Sequence, residues 1–290
     1  MNYKLLHNEP MSLHTTFRTG GRAKDYYIID NAEGLIQVFD ICRNQGVKPL
    51  VIGNGSNLLI SDMGLDVPVI EIGSGLCDIS VEGNIIKAEA GAMLSKVAKT
   101  ALQNGLAGME FASGIPGTIG GAVYMNAGAY GGEIKDIAVS VDVLKDGELL
   151  TIPAEEMDFG YRHSRIMDEE MIVLGLTIQL ENGEKSEIEE KMNDFNSRRR
   201  DKQPLEYPSA GSTFKRPEGY FAGKLIMDSG LAGKSIGGAM VSPKHCGFII
   251  NYDNATSTDV YELIKYVVSE VKNKFGVELE TEVKLIGEFL

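Results

Sequence analysis

The chain has 290 residues, 43% of them hydrophobic, which is enough for two domains or one large one around a sizeable core. Its formal net charge of −13, from 28 basic and 41 acidic residues, argues against nucleic acid or an anionic membrane as a partner. No uninterrupted apolar run reaches the roughly 18 residues of a membrane span, and the opening Met1–Pro10 lacks the apolar core of a secretion signal. Cys42, Cys77 and Cys246 are too far apart for metal-ligand spacing and suit reduced thiols, so a cytoplasmic protein without a metal site is expected.

Leu35, Val38, Phe39 and Cys42 recur at helical spacing, and Gly46 closes that segment. Lys48–Ile52 reads as a short buried strand that runs into Gly53-Asn54-Gly55-Ser56-Asn57 and a second strand at Leu58-Leu59-Ile60. A helix through Leu94, Val97, Ala98, Ala101 and Leu102 stops at Gly105. Val139–Ile152 alternates around Asp146-Gly147, a hairpin signal, and Met171–Leu180 reads as a long strand. Ser186-x-x-Glu189 has the form of a capping box that opens a helix through Ile188, Met192 and Phe195. Arg198-Arg199-Arg200 falls near the end of that helix, where positive charge complements the helix dipole; the alternative is that one of the three reaches a ligand.

Lys202–Pro208, with two prolines, then breaks the pattern and suggests a crossing between domains. Short glycine-rich strands follow, then a helix through Val260, Leu263, Ile264, Val267, Val268 and Val271 that ends at Gly276. Glu278–Ile286 alternates as a strand, with Glu278, Glu280 and Glu282 on one face. Helices and hairpins mix without strict βαβ alternation, so the expected class is α+β.

The densest chemical signal is Gly114-Ile115-Pro116-Gly117-Thr118-Ile119-Gly120-Gly121, followed by Asn126-Ala127-Gly128-Ala129-Tyr130-Gly131. Glycines in such number let backbone approach a ligand, and consecutive N–H groups can converge on an anion such as a pyrophosphate. A glycine-rich turn that only packs closely would look the same. The turn at Gly53–Asn57 is not a dinucleotide fingerprint of the Rossmann type, because the third glycine position holds Leu58 and the chain resumes a strand. Two such turns without charged side chains favour one large phosphate-bearing ligand.

Ser212, in Ser209–Pro217, sits beside a glycine and shortly before Lys215 and Arg216; it is a proton donor if neighbours support it, or a plain turn serine. It is not in a hydrolase nucleophile elbow, since Gly-x-Ser-x-Gly is absent. Arg162, in Phe159–Arg165, suits bidentate grip of a carboxylate or an ordinary surface ion pair, and His163 reads as structural. The three glutamates near the end read as a solvated face.

Taken together, these segments resemble the UDP-N-acetylenolpyruvoylglucosamine reductase family, in its shorter, type II form. The likeness is carried by Thr16–Gly21, Ile52–Leu59, Gly114–Gly121, Asn126–Gly131, Gly160-Tyr161-Arg162, Gln203-Pro204, Gly211–Lys215, Ile236–Gly238 and Glu282–Gly287, in one order along nearly the whole chain. It implies an FAD-binding region of the vanillyl-alcohol oxidase and p-cresol methylhydroxylase type over 1–203, as two α+β subdomains with a core of about 20–185, and a substrate-binding α+β domain over 204–290. Gly53, Asn54, Gly55, Ser56, Asn57 and Leu58, with Gly114, Ile115, Pro116, Gly117, Thr118, Gly120 and Gly121, would hold non-covalent FAD.

The reaction implied is ping-pong. NADPH reduces FAD, and hydride then passes from flavin N5 to the enolpyruvyl group of UDP-N-acetylglucosamine enolpyruvate, giving UDP-N-acetylmuramate for peptidoglycan. By the same likeness Ser212 protonates the α carbon, Arg162 stabilises charge on the enolate, and Glu282 orients the carboxylate end. Thr281 replaces the family's usual proline, and Val283–Gly287 sets the register on Glu282. Arg216 is the first candidate for the UDP diphosphate, with Lys224 and Lys234 after it, and Tyr130 lines the sugar site. A monomer is expected. The competing readings are a sugar or aldonolactone oxidase of the same FAD fold and a non-catalytic UDP-sugar-binding protein.

Overall fold

Residues 2–290 are described by a computed structural model, and the chain divides into two units. The first takes the residues up to Leu6, Asp25–Asn54 and Val67–Arg199; the second takes His7–Lys24, Gly55–Asp66 and Arg200–Leu290. Six helices are described: α1 Ala32–Asn44, α2 Leu94–Gln103, α3 Ile119–Met125, α4 Lys185–Lys202, α5 Ala222–Asp228 and α6 Ser257–Phe275. Eighteen mostly short strands accompany them, an α+β mixture as the pattern of the sequence implies.

In the first unit, Val69–Ile72 lies between two parallel neighbours, with Tyr26 opposite Val69 on one side and Leu50 opposite Val69 on the other. A five-stranded antiparallel sheet runs in the order Glu148–Pro153, Ala138–Lys145, Met171–Gln179, Ile85–Glu89, Ile79–Glu82. Lys145 pairs with Glu148 across Asp146-Gly147, whose φ values of 52° and 88° make the two-residue turn that matches strand twist. One core joins the apolar faces of α1 (Leu35, Val38, Cys42) and α2 (Leu94, Val97, Ala98, Ala101) to Ile86, Val141 and Leu176 of the strands. Both helices end as their sequences suggest, with Gly46 and Gly105 at φ 67° and 66°.

The expected capping box on α4 does not form. The helix begins at Lys185, so Ser186 lies inside its first turn, and the Glu184 carbonyl accepts from Glu187 and Ile188 N–H at 3.0 and 3.1 Å. Gly183 sits directly before this turn and releases the chain from the short strand Glu181–Asn182, so the helix starts earlier than the box pattern implies.

In the second unit, α6 lays Val260, Leu263, Ile264, Val267 and Val271 against a three-stranded antiparallel sheet of Ser235–Ile236, Ala239–Val241 and Ile249–Asn251. Thr256 caps α6 and forms a capping box with Asp259, and Gly276 ends it in the left-handed conformation at φ 69°. Asp62 adds two more acceptors for the open N–H groups of that helix start, at Ser257 (2.9 Å) and Thr258 (2.8 Å). The expected strand over Glu278–Ile286 shrinks to Lys284–Ile286, which pairs in parallel with Leu58–Ile60. Upstream, only single bridges form, and the three glutamates are not equivalent: Glu278 and Glu280 are exposed while Glu282 is half-buried. Alternation alone cannot extend a strand that lacks a continuous partner.

Among the described residues no helix is long and apolar enough to cross a membrane. The three cysteines are free.

Candidate functional site

In the first unit the two glycine segments meet. The Asn54 side-chain amide donates to the Pro116 carbonyl at 2.7 Å. A Cβ on Gly53 would collide with the Thr118 side chain, so the two turns touch because Gly53 has none. Gly120 is less tightly placed, and a Cβ there would come within 3.3 Å of Ala90 Cβ. A Cβ on Gly114 would strike Asn196 Oδ1 and the Arg199 side chain of α4. Packing inside the protein therefore accounts for glycine at 53, and crowds the space beside 114 and 120.

Gly121 differs. It is exposed, and a Cβ there would meet only Thr118 Oγ1 at 3.8 Å. The N–H groups of Gly117 and Thr118 make no hydrogen bond among the described residues, while the Gly117 carbonyl is used by Leu94 and the Thr118 carbonyl by Ala122. Two consecutive unsatisfied donors beside an open glycine, with no carboxylate in Gly114–Gly121, suit an anion.

Asn126, fully buried and left-handed at φ 40°, ends α3 and joins it to the Arg162 turn. Its amide donates to Glu133 (2.8 Å) and to the Gly160 carbonyl (2.9 Å), and its oxygen accepts Lys135 N–H (3.0 Å). Ser164, also fully buried, donates from Oγ to the Tyr124 carbonyl at 2.8 Å. Gly160 and His163 bridge across Tyr161-Arg162, with Arg162 at φ 57°. The Arg162 guanidinium lies 5.1 Å from the Tyr161 ring centre, and its Nη2 reaches the Gly128 carbonyl at 3.4 Å. His163 pairs with Asp168 at 3.1 Å. Tyr130, at φ 54°, stacks on Phe195 of α4 with centroids 4.5 Å apart and planes 7° from parallel.

In the second unit, Ser212 and Glu282 are brought together by backbone pairing. Glu282 N–H donates to the Thr213 carbonyl at 2.9 Å, Lys215 N–H to the Glu280 carbonyl at 2.9 Å, and Phe214 bridges Thr281. The other side of the serine turn is fixed too: Thr213 N–H donates to the Gly247 carbonyl (2.8 Å), and the Thr213 hydroxyl accepts from Ile249 N–H (3.0 Å). Gly55, at φ 56°, sits under the His14 carbonyl. The Asn57 amide donates to the Glu282 carbonyl at 3.1 Å, and the Asn57 carbonyl accepts Lys284 N–H at 2.9 Å. The turn Gly55–Asn57 is thus tied to the backbone that carries Glu282.

Burial, then the nearby Lys215 charge, pushes the Lys284 ammonium below its ordinary range. Lys215 is itself balanced by Glu280 at 3.0 Å. Of the diphosphate candidates, exposed Arg216 lies 4.1 Å over the Phe221 ring, Lys224 pairs with Asp228 at 2.6 Å, and Lys234 lies 4.8 Å over the Tyr266 ring. Each is held by a neighbour of its own.

Sequence reasoning gave no role to Asn126, Thr213 or Ser164, and gave Arg199 only that of a helix-end charge. Asn126 had a usable signal, as an asparagine following a short apolar helix is a common left-handed cap. Thr213, Ser164 and Arg199 act through contacts distant in sequence and have no local signature.

The family model described as "FAD binding domain" matches residues 25–152, and the model for the C-terminal domain of UDP-N-acetylenolpyruvoylglucosamine reductase matches 203–286. Proteins named UDP-N-acetylenolpyruvoylglucosamine reductase from Caldanaerobacter subterraneus and Agathobacter rectalis are each 52% identical, with 98% of this chain and 94% and 95% of those chains covered. That of Clostridium perfringens SM101 is 50% identical, over 97% of this chain and 92% of its own. The crystal structure of UDP-N-acetylenolpyruvylglucosamine reductase from Thermus caldophilus superposes with a TM-score of 0.85 at 33% identity, over 99% of this chain and 100% of that one. Half the residues in common over nearly the full length, together with matching family models in both regions, place the chain in the UDP-N-acetylenolpyruvoylglucosamine reductase family of FAD-containing oxidoreductases.

Proposed function

We propose that the protein reduces UDP-N-acetylglucosamine enolpyruvate to UDP-N-acetylmuramate in a ping-pong cycle that uses NADPH. The coarser statement needs no proposal: the family serves peptidoglycan precursor synthesis. The observation that carries the finer reading is the pairing of the Thr213–Lys215 backbone with Glu280–Glu282, which brings the turn of Ser212 beside the segment of Glu282. An alcohol acts as a general acid only where its position is fixed, and Thr213 fixes it from both sides.

When bound, FAD supplies the hydride chemistry, and the protein contributes geometry and charge. The free N–H groups of Gly117 and Thr118 and the open face of Gly121 would receive its pyrophosphate. Ser212 Oγ would deliver a proton to the substrate's α carbon. Glu282 would orient the carboxylate end of the enolpyruvyl group. Arg162, held in a left-handed turn by the Asn126 network, would stabilise negative charge on the enolate by preorganised electrostatics. Arg216, Lys224 and Lys234 are the proposed diphosphate contacts and Tyr130 the proposed sugar contact. The proposal keeps an FAD-binding region over 1–203 and a substrate-binding region over 204–290, with segments 7–24 and 55–66 folding in the second unit. A cytoplasmic monomer completes it.

An anaerobic visible spectrum tests the scheme. NADPH should bleach the flavin bands, and UDP-N-acetylglucosamine enolpyruvate should restore them. Bleaching restored by air alone would favour a sugar oxidase, and a protein that neither holds nor takes up FAD would leave only UDP-sugar binding.

A further inference from the structure

The C-terminal half of α4 carries Phe195, Asn196 and Arg199, which at 100° per residue fall within about a 100° arc on one side of the helix. That side meets the glycine segments. Phe195 stacks on Tyr130, Asn196 Oδ1 occupies the space beside Gly114, and an Arg199 Nη1–H donates to the Gly114 carbonyl. Arg199 Nε is buried and has no partner among the described residues. Arg198, next in the chain, points elsewhere and pairs with Asp194 at 2.8 Å. The arginine run is therefore split in use: one member serves its own helix, and the next leaves it for the glycine turn 85 residues away.

We propose that Arg199 is a positioning residue for the cofactor, holding the Gly114–Gly117 turn in the conformation that receives the FAD pyrophosphate and adding positive charge behind it. The inference rests on the reading of that turn as a pyrophosphate site. Three physical points support it. The Gly114 carbonyl dipole carries negative charge, and a guanidinium on that oxygen cancels it where an anion must approach. The chain carries −13 overall, and Gly114–Gly121 contains no cation of its own, so a permanently charged group has to come from another element. The fit also depends on glycine at 114, because any side chain would displace Asn196 and Arg199. Gly114 is then a packing glycine whose purpose is to admit Arg199.

The test is FAD affinity of the apoprotein, measured by quenching of flavin fluorescence, for wild type, Arg199→Lys and Arg199→Met. The methionine keeps the aliphatic packing and removes donor and charge; the lysine restores one donor and the charge. Arg199→Met should weaken FAD binding at least tenfold, equivalent to about 1.4 kcal/mol, and Arg199→Lys should stay within threefold of wild type. Arg199→Met should lower the melting temperature of the apoprotein by only the few degrees that one lost hydrogen bond costs, and Arg199→Lys should leave it unchanged. Two results overturn the proposal: Arg199→Met binding FAD within threefold of wild type, or the lysine and methionine variants being equally weakened, the mark of a purely structural arginine. A wild-type apoprotein that fails to bind FAD would instead sink the reading of the turn itself.

Discussion

Asn126 offers the sharpest test of how the site is held. Replacing it with alanine removes two donors, to Glu133 and to the Gly160 carbonyl, and one acceptor, for Lys135 N–H. A neutral hydrogen bond contributes about 1 kcal/mol and one to a charged partner about 2 kcal/mol, so the network is worth about 4 kcal/mol. The backbone adds a second cost, because the residue is left-handed at φ 40°, where a Cβ without a polar side chain costs about 1 kcal/mol.

Asn126→Ala should therefore destabilise by about 5 kcal/mol, and Asn126→Gly, which relieves the backbone, by about 4 kcal/mol. Urea unfolding followed by far-UV circular dichroism suits a chain without tryptophan. Because the same network anchors the turn of Arg162, any folded variant should also lose turnover. An alanine variant within about 1 kcal/mol of wild type, or more stable than the glycine variant, would refute the reasoning.

Other outcomes follow from the same structure. Ser212→Ala should slow flavin reoxidation by the enolpyruvyl substrate at least about 100-fold while flavin reduction by NADPH stays within about threefold in stopped-flow traces; equal loss in both halves would exclude Ser212 as proton donor. Gly121→Ala fills open space on a helix, so stability should hold or rise by up to about 1 kcal/mol while FAD affinity falls about tenfold or more by fluorescence titration; unchanged affinity would mean that no ligand approaches there. Hydrogen bonds from Arg165 and Lys145 hold the Glu169 carboxyl at about 2. A depressed carboxylate stabilises fully above its unfolded value and loses that contribution as pH falls, so the urea midpoints of wild type and Glu169→Gln should converge from pH 4.5 down to about 2; parallel curves would contradict the assignment. Burial holds the His245 imidazole below its ordinary value, so its contribution is complete above pH 6.5 and fades as pH falls below that; an NMR titration with a midpoint at or above 6.5 would contradict this.

Local rules made much of the architecture legible. Helical spacing and terminal glycines marked α1, α2 and α6, because a buried stripe and a left-handed cap are both written within a few adjacent residues. Asp146-Gly147 marked its hairpin for the same reason: the turn conformation depends on two residues. The family likeness, spread over ordered motifs along the whole chain, pointed to FAD and the enolpyruvyl reaction before any geometry was known.

Tertiary structure decided the rest. Alternation in Glu278–Ile286 described a full strand, yet only Lys284–Ile286 found a continuous partner, and a strand exists only where a neighbour completes its hydrogen bonds. Glycine density announced backbone exposure but could not say to what. Gly53, Gly114 and Gly120 yield their side-chain space to Thr118, to Asn196 and Arg199, and to Ala90, and Gly121 alone among these four opens outward. Arg199 read as a helix-end charge because its carbonyl partner lies far away in sequence. Periodicity and capping are local and survive in the sequence, whereas a contact between distant segments depends on how the whole chain closes on itself.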